Sequence, residues 1–248
     1  GDVHRLASNM ASALNFQINE RINDLQLLAH WSLFREQSIE QQRAVLATLA
    51  QESSDYRWLL ITSPEGVIRT ASLSSFEGLH IPSDPWFPPR FQHPSVSDIH
   101  PESPPKTDAY PGHQRLTLQY EIAVPLNNRQ GLLDSWLIAS LPAEGIEKMA
   151  RNLLDEKSAP AQADLMMFKD DGSVFFSSHD PSIRQVPDAI LRALQSGHAA
   201  KLQWPDRQWY FTSRQQLSRH DKVQSPGWQI LVRQPASVAM GDFTKLQD

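Results

Sequence analysis

The sequence predicts an α+β fold in which a long N-terminal helix precedes two modules, each built on an antiparallel sheet. The first observation is a helical apolar stripe over residues 3–32. The second is a pair of similar hairpin sequences, residues 56–68 and 163–175, in which an apolar run reaches an acidic residue and Gly before a β-rich run. The two hairpins lie about a hundred residues apart, which indicates a copied module because solenoid repeats are far shorter.

Length and composition support two ordinary domains and exclude several classes of protein. The chain has 248 residues, of which 40% are apolar, enough for a core in each module. A net charge of −5 without any Lys/Arg run argues against nucleic-acid binding. The absence of cysteine excludes disulfides, thiolate zinc sites and cysteine nucleophiles. We expect flanking segments beyond both ends, since each end falls within or close to a helical pattern.

The N-terminal half predicts two helices followed by the first sheet. The stripe of the first helix is formed by Leu6, Met10, Leu14, Ile18, Ile22, Leu25 and Ala29. A helix of this length outspans one small domain, so we expect it to run along both modules and, in one interpretation, to pair with a second copy of the chain. The alternative is that its apolar stripe only packs in the core. A second helical pattern covers residues 39–49 and leads to the first hairpin.

The remainder of the first module combines a proline-rich loop with two strands. Residues 83–112 hold too many prolines for a regular helix or a central strand. Alternation over residues 115–125 and 132–141 predicts a strand pair joined by a turn at 127–131. Pro142 fits the first position of a helix that extends to about residue 155.

The second module repeats this plan with fewer elements. We predict a helix at residues 187–195, strands at 199–204, 208–216 and 228–234, and a final helix from 236. The predicted domains are listed together: an N-terminal helical region 1–52, a first module 53–158, a second module 159–235, and the start of a further helix 236–248.

A search for catalytic and metal-binding patterns gives little. The nine histidines include no pair at the spacing that places two metal ligands on one helix face. His93, His100 and His113 share the proline-rich loop with Asp98 and Asp108, and a hydrolase that uses His100 and Asp98 is the weakest interpretation. Nucleophile-elbow, phosphate-loop and dinucleotide patterns are absent from the sequence. We therefore expect no catalysis, no cofactor and no metal.

The most distinctive feature of the loop is Asp84-Pro85-Trp86-Phe87. One interpretation is structural, because Asp and Pro are preferred at the start of a helix and the two aromatic residues would then fill the core. The other interpretation makes Trp86 the wall of a binding pocket, with Asp84 as a nearby anion.

Polar residues on the two central strands are further candidates. Tyr120, Glu121 and Ser140 lie on strands that otherwise point inward and therefore need partners. Alternation places Tyr120 and Glu121 on opposite faces, so at most one of them points into a given pocket.

These stretches together resemble the double Cache sensor domains of bacterial chemoreceptors, sensor histidine kinases and membrane-bound diguanylate cyclases, and the resemblance covers nearly the whole chain. The matching stretches, in order, are Glu65-Gly66, Gly78, Pro85-Trp86-Phe87, residues 96–99 and 122–125, Gly131, Asp171-Gly172, Gly227-Trp228 and Pro235. The resemblance implies two PAS-like modules, the first membrane-distal and the second membrane-proximal. It also implies a periplasmic location, a homodimer and a membrane tether through flanking helices.

The resemblance further implies a small-molecule ligand in the distal module. The amino-acid-binding subgroup has a Tyr, an Arg, two aromatics and an Asp, whereas this chain has Leu79 for the Tyr, Asp84 for the Arg and Ser140 for the Asp, and keeps Trp86 and Phe87. We therefore expect an amine or another cation rather than an ordinary amino acid. The expected ligand-binding residues are Asp84, Trp86, Phe87, Asp98, His100, Tyr120 and Ser140. The alternative is a ligand-free structural or dimerisation module of such a receptor.

Overall fold

Helices and antiparallel sheets follow the predicted order in the computed structural model, which confirms the α+β fold. The structure describes residues 1–81, 87, 92–102, 117–218 and 222–245, with side chains as far as residue 241. The chain divides into two units. One contains residues 18–145 and 219–225, and the other contains residues 1–17, 146–218 and 226–248.

The unit formed by residues 18–145 and 219–225 contains the first sheet, and we call it the first module. Its elements, including the helix that begins in the other unit, are α1 (Asp2–His30), α2 (Ser32–Arg35), α3 (Ile39–Glu52), β1 (Trp58–Thr62), β2 (Ile68–Ala71), a 3-10 turn (Ser74–Phe76), β3 (Ser95–Val96), β4 (His100–Pro101), β5 (Leu118–Asn127) and β6 (Leu133–Pro142). Helix α3 begins with a capping box, in which the Ser38 side chain accepts from the Gln41 N–H and the Gln41 side chain accepts from the Ser38 N–H.

The first sheet has the strand order β2-β1-β6-β5-β3, with β4 also paired to β5, and all of these pairs are antiparallel. One face carries Trp58, Ser140 and Glu121. We call it the loop-side face, because Phe76, Ile81 and Phe87, which follow β2 in the chain, pack in its core. The opposite, helix-side face meets α3. Both faces are covered, and every residue of β1 is accordingly buried.

The other unit contains the second sheet, and we call it the second module. Its elements are α4 (Glu144–Leu154), β7 (Asp164–Phe168), β8 (Val174–Ser177), α5 (Asp188–Ala193), β9 (His198–Gln203), β10 (Trp209–Gln216), β11 (Gln229–Pro235) and α6 (Ala236–Lys245). The strand order is β8-β7-β11-β10-β9, which repeats that of the first sheet. In both sheets the first two strands form a hairpin at one edge, the last strand pairs with that hairpin, and the strand before the last comes next. The predicted copy of one module therefore holds at the level of topology.

Two details differ from the sequence-based expectations. Pro142 ends β6 instead of starting a helix, and α4 begins two residues later at Glu144. The proline-rich segment also contributes two short strands, β3 and β4, which pair along β5. Each is two residues long, too short for an alternation pattern to be visible in the sequence.

Candidate functional site

A row of side chains crosses the loop-side face of the first sheet. Trp58 on β1 lies opposite Ser140 on β6, which lies opposite Glu121 on β5. Ser97, just beyond β3, continues the row, because its backbone N–H donates to the Glu121 carbonyl. Neighbouring strands are about 4.8 Å apart, so the row from Trp58 to Glu121 spans roughly 10 Å, the size of a small molecule.

Glu121 is the centre of a buried polar network. Its residue is 1% exposed, and Oε2 accepts from Ser97 Oγ at 2.9 Å. His100 Nε2 lies 2.5 Å from the same oxygen, and Gln119 Nε2 donates to Oε1 at 2.7 Å. Burial of a carboxylate is costly unless hydrogen bonds satisfy it. These three contacts meet that requirement without an Arg or Lys partner among the described residues.

Buried polar atoms without a partner lie next to this network. Within the described part of the chain, Trp58 Nε1, Ser140 Oγ and Gln119 Oε1 have no hydrogen-bond partner, and each of the three residues is at most 1% exposed. Thr62 Oγ1, two residues along β1 from Trp58, is in the same situation. Because buried polar atoms are normally paired, such a group on one face indicates a place that receives a ligand or ordered water.

The hydrogen-bonding character of this place is fixed by Glu121. A carboxylate can only accept, so the Gln119 amide must direct its NH₂ group to Glu121 and leave its oxygen as a free acceptor. Trp58 Nε1 is a donor only, whereas the Ser140 hydroxyl can donate or accept. The face therefore offers one donor, one acceptor and one group of either kind to a small polar molecule.

Tyr120 lies on the helix-side face, away from this row. It pairs with Leu141, and its electrostatic neighbours are Arg21, Asp55 and Tyr56. Burial raises the pKa of the Tyr120 phenol far above its ordinary value, and Arg21 offsets only part of that effect. The residue that faces the row is thus Glu121, which was not among the expected ligand-binding residues. In the sequence, alternation shows only that Glu121 and Tyr120 point to opposite faces. It does not show which of the two faces the helices cover.

The other expected site residues have different surroundings. Ser140 and His100 lie in or beside the row, and Phe87 packs in the core of the loop-side face. Asp98 is exposed, and its Oδ1 accepts from the Ile99 N–H at 2.8 Å. Asp84 and Trp86 lie outside the described residues.

Among the described residues, clefts open on the helix side of the first module at two places. One, of about 540 Å³, is lined by Ser32, Arg35, Glu36, Ile39, Gln42, Ile61, Arg69, Thr70, Leu126, Arg129, Asp134 and Ser135. The other, of about 760 Å³, lies between α1 and α3 and includes Leu25, Leu28 and Leu49. The three arginines of the first cleft already have partners: Arg69 pairs with Asp134, Arg35 donates to the Asn127 carbonyl, and Arg129 lies 3.9 Å from Glu36.

The corresponding face of the second sheet is filled by the chain itself. Arg233 lies 4.4 Å from the Trp204 ring and 4.2 Å from the Tyr210 ring, and its Nη2 is 3.7 Å from Asp164 Oδ2. The cation–π contacts and the ion pair hold this arginine in the core of the second module. On the first sheet, among the described residues, Trp58 Nε1, Ser140 Oγ and Gln119 Oε1 instead lie beside Glu121 without a charged residue filling the face.

No group of three or more His, Asp or Glu side chains among the described residues could hold a metal ion. None of the helices described combines the length and the apolar character that a bilayer span requires.

Comparisons of sequence and of structure give different results. No family model matches the sequence, and no curated protein matches it. Solved structures match over nearly the full length. The sensory domain of the Campylobacter jejuni chemoreceptor Tlp3, solved with isoleucine bound, has a TM-score of 0.69 and 10% identity, with 95% of this chain and 92% of that chain covered.

Two further matches belong to different receptor types. The ligand-binding domain of the Pseudomonas aeruginosa PAO1 amino-acid chemoreceptor PctB, in complex with L-Arg, has a TM-score of 0.63 and 16% identity over 95% of this chain and 94% of that one. The extracellular domain of the putative histidine kinase rpHK1S-Z16 has a TM-score of 0.66 and 12% identity over 96% and 95%.

A longer protein matches as well. This chain spans 39% of the extracellular ligand binding receptor from Desulfohalobium retbaense, with a TM-score of 0.65 and 13% identity. The fold implied by the sequence resemblance is therefore confirmed: this chain has the double Cache fold of extracellular sensor domains from chemoreceptors and histidine kinases.

Proposed function

We propose that this chain is the small-molecule-sensing domain of a bacterial inner-membrane receptor, located in the periplasm and without catalysis of its own. The ligand binds in the first module, on the loop-side face around Trp58, Ser140 and Glu121. The observation that carries this proposal is the group of buried, unpartnered polar atoms on that face. A protein that left them unpaired permanently would lose about 1–3 kcal/mol for each one.

The ligand that fits the row best is an amine or another cation. A ligand ammonium group can donate to Gln119 Oε1, to Ser140 Oγ and to the remaining lone pairs of the Glu121 carboxylate. An acceptor elsewhere on the molecule would take the Trp58 N–H. Ser140 stands where the amino-acid-binding subgroup has an Asp. Glu121, opposite Ser140 on the neighbouring strand, supplies a carboxylate in its place.

We further propose that the receptor acts as a homodimer and that its flanking segments tether it to the membrane. Among the described residues, five of the nine large apolar side chains that are exposed belong to the first 39 residues: Phe16, Leu27, Trp31, Leu33 and Ile39. Their concentration in α1, α2 and the start of α3 supports a contact with a second copy through the N-terminal helices. Differential ligand affinity for two arrangements would supply the signal, about 2.7 kcal/mol for a hundredfold preference.

A thermal-shift screen of amines, carboxylates and purines tests the ligand site, with Ser140→Ala as the variant. Ser140→Ala removes an unpartnered buried hydroxyl, so we expect the ligand-free protein to melt at an unchanged or higher temperature. The shift caused by an amine should be lost or strongly reduced.

Ser135→Ala is the matched control, because Ser135 is a buried serine of the same strand that points to the helix side. An amine shift that survives in Ser140→Ala but not in Ser135→Ala would contradict the proposed site. A screen without any hit would favour the ligand-free structural module.

A further inference from the structure

His100 holds a proton that the rest of the site depends on. Its Nδ1 lies 2.7 Å from the Pro101 carbonyl oxygen, and its Nε2 lies 2.5 Å from Glu121 Oε2. A carbonyl oxygen can only accept, so Nδ1 carries a hydrogen. The short contact of Nε2 to a carboxylate oxygen requires a second hydrogen between the two atoms, whether it is bonded to the ring or to the carboxyl group.

The His100–Glu121 pair therefore contains one proton more than a neutral imidazole and a carboxylate would, and its net charge is zero. Without that proton the Nε2 lone pair would face a carboxylate lone pair, and the interior would hold an uncompensated negative charge. The Glu121 side chain is 1% exposed, so such a charge is poorly solvated.

Among the described residues, none of the charged groups around the pair replaces the proton. Glu102, just beyond β4, pairs with Arg57, just before β1, at 2.8 Å, and Asp98, between β3 and β4, is exposed. Arg21 and Asp55, with Tyr56, lie on the opposite face beside Tyr120. Ser97 and Gln119, which also contact Glu121, are neutral.

We propose that His100 sets the charge selectivity of the ligand site by sharing one proton with Glu121. In the protonated pair Glu121 is already compensated, so a cationic ligand must displace the proton in order to bind. A bound cation takes over the compensation of Glu121, so its binding releases this proton to the solvent. One N–H or O–H bond of the pair breaks, and no other bond changes. Cation affinity consequently rises as pH rises through the titration of the pair. The ligand half of this inference rests on the proposed function, whereas the shared proton does not.

Imidazole NMR titration of the ligand-free domain tests the shared proton. In the wild type we expect His100 to titrate at a pKa higher by roughly one unit or more than in Glu121→Gln, since an opposite charge in contact stabilises the imidazolium ion. The signal is assigned by its loss in His100→Gln. Asp98→Asn is the matched control, because it removes an exposed carboxylate near His100 but leaves the Nε2 contact intact, and we expect a much smaller change.

Equal His100 pKa values in the wild type and in Glu121→Gln would overturn the inference. If Glu121→Gln does not fold, the wild-type spectrum still decides, because a His100 ring that is singly protonated at neutral pH, next to an ionised Glu121, excludes a shared proton.

A second experiment measures the ligand half with methylguanidinium and ethanolammonium chloride as probes. Their thermal shifts should grow between about pH 6 and 8.5 in the wild type and should be flat with pH in His100→Gln. A cation shift that is independent of pH in the wild type would overturn the inference. Failure of both probes at every pH contradicts the proposed amine class instead, and the NMR titration then decides the shared proton alone.

Discussion

Ionisable side chains on the two faces of the first sheet behave differently because their surroundings differ. Glu121 meets two hydrogen-bonding side chains and a histidine, whereas Tyr120, one residue earlier, is buried on the other face with Arg21, Asp55 and Tyr56 as electrostatic neighbours. The phenol of Tyr120 is 2% exposed, and burial opposes its ionisation. Glu121 is therefore held by hydrogen bonds on the loop-side face, whereas burial keeps the Tyr120 phenol neutral on the helix-side face.

Tyr120→Phe should flatten the alkaline loss of stability. The raised pKa means that the folded state keeps the phenol neutral while the unfolded chain ionises above about pH 10. This contribution to stability is complete below that pH and is lost as pH rises toward the folded-state pKa. We expect the wild-type free energy of unfolding to fall more steeply above about pH 10 than that of Tyr120→Phe, by up to about 1.4 kcal/mol per pH unit.

Urea unfolding at several alkaline pH values gives this slope, and only the slopes are compared because the variant can also change stability at neutral pH. Tyr56, whose pKa burial also raises, remains in both proteins and contributes equally to both curves. Parallel curves would contradict the buried, neutral Tyr120.

At the scale of elements, the turn of the β1–β2 hairpin packs closely against the Phe87 ring at one glycine, Gly66. Gly66 has φ +94°, and a Cβ placed there would lie 2.7 Å from Phe87 Cε1. Gly131, in the β5–β6 turn, has a similar φ of +80° but nothing within 4 Å of the Cβ position. The two turns therefore share the same backbone requirement and differ only in the side-chain contact.

Substitution of these two glycines by alanine should separate backbone strain from steric contact. We expect Gly131→Ala to lose about 1–2 kcal/mol of unfolding free energy, the cost of a left-handed backbone for a residue with a Cβ. Gly66→Ala should lose about 1–3 kcal/mol more, because Phe87 must move. Denaturant unfolding measures both, and Phe87→Leu in the Gly66→Ala background should recover part of the difference. Equal losses at the two glycines would show that Phe87 does not press on the turn.

Helices and strands were predictable where the sequence pattern was long. The prediction failed where the pattern was short or ambiguous. The apolar stripe defined α1, and alternation defined β5 and β6 to within a few residues. The strands β3 and β4 are two residues each and owe their existence to pairing with β5. Proline is preferred at the first position of a helix, but Pro142 pairs with Gln119 of β5 and therefore ends β6.

The site that we propose was predictable from the sequence only in part, for the same reason. Ser140 and His100 were expected from the sequence, but the choice between Tyr120 and Glu121 depends on which face the helices cover. That information lies in tertiary contacts, such as the neighbourhood of Arg21 and Tyr120, which no local pattern contains. The partnerless Trp58 N–H was also invisible, because a tryptophan on a strand is ordinarily explained by burial.

At the scale of the whole molecule, each unit has its own sheet and its own core. Within the residues described, the loop-side face of the first sheet carries Trp58 Nε1, Ser140 Oγ and Gln119 Oε1 without hydrogen-bond partners. The second sheet holds the Arg233–Asp164 ion pair at the corresponding place, where Arg233 Nε and Asp164 Oδ2 also lack a hydrogen bond but Arg233 packs on two rings. Two copies of one topology therefore differ on this face: neutral polar side chains lie beside Glu121 in the first sheet, and an arginine fills the face in the second.

Dimerisation is a prediction at this scale. We expect sedimentation velocity to show a dimer whose population rises with concentration, and Leu27→Glu to shift it to the monomer, since a buried charge at an apolar contact is costly. Leu27 is 73% exposed in the single chain. Leu132→Glu is the control, because Leu132 is similarly exposed, at 64%, but lies in the β5–β6 turn. A monomer at all concentrations, or equal effects of both variants, would contradict a dimer contact through the N-terminal helices.

The row from Trp58 to Ser97 runs at right angles to the strands. Its members lie on four segments that are neighbours in the sheet: β1, β6, β5 and the residue after β3. A molecule that touches the whole row bridges segments that are distant in sequence, from β1 to the region after β3. Such a molecule would link the strands sideways, so its binding would make it harder for neighbouring strands to slide past one another.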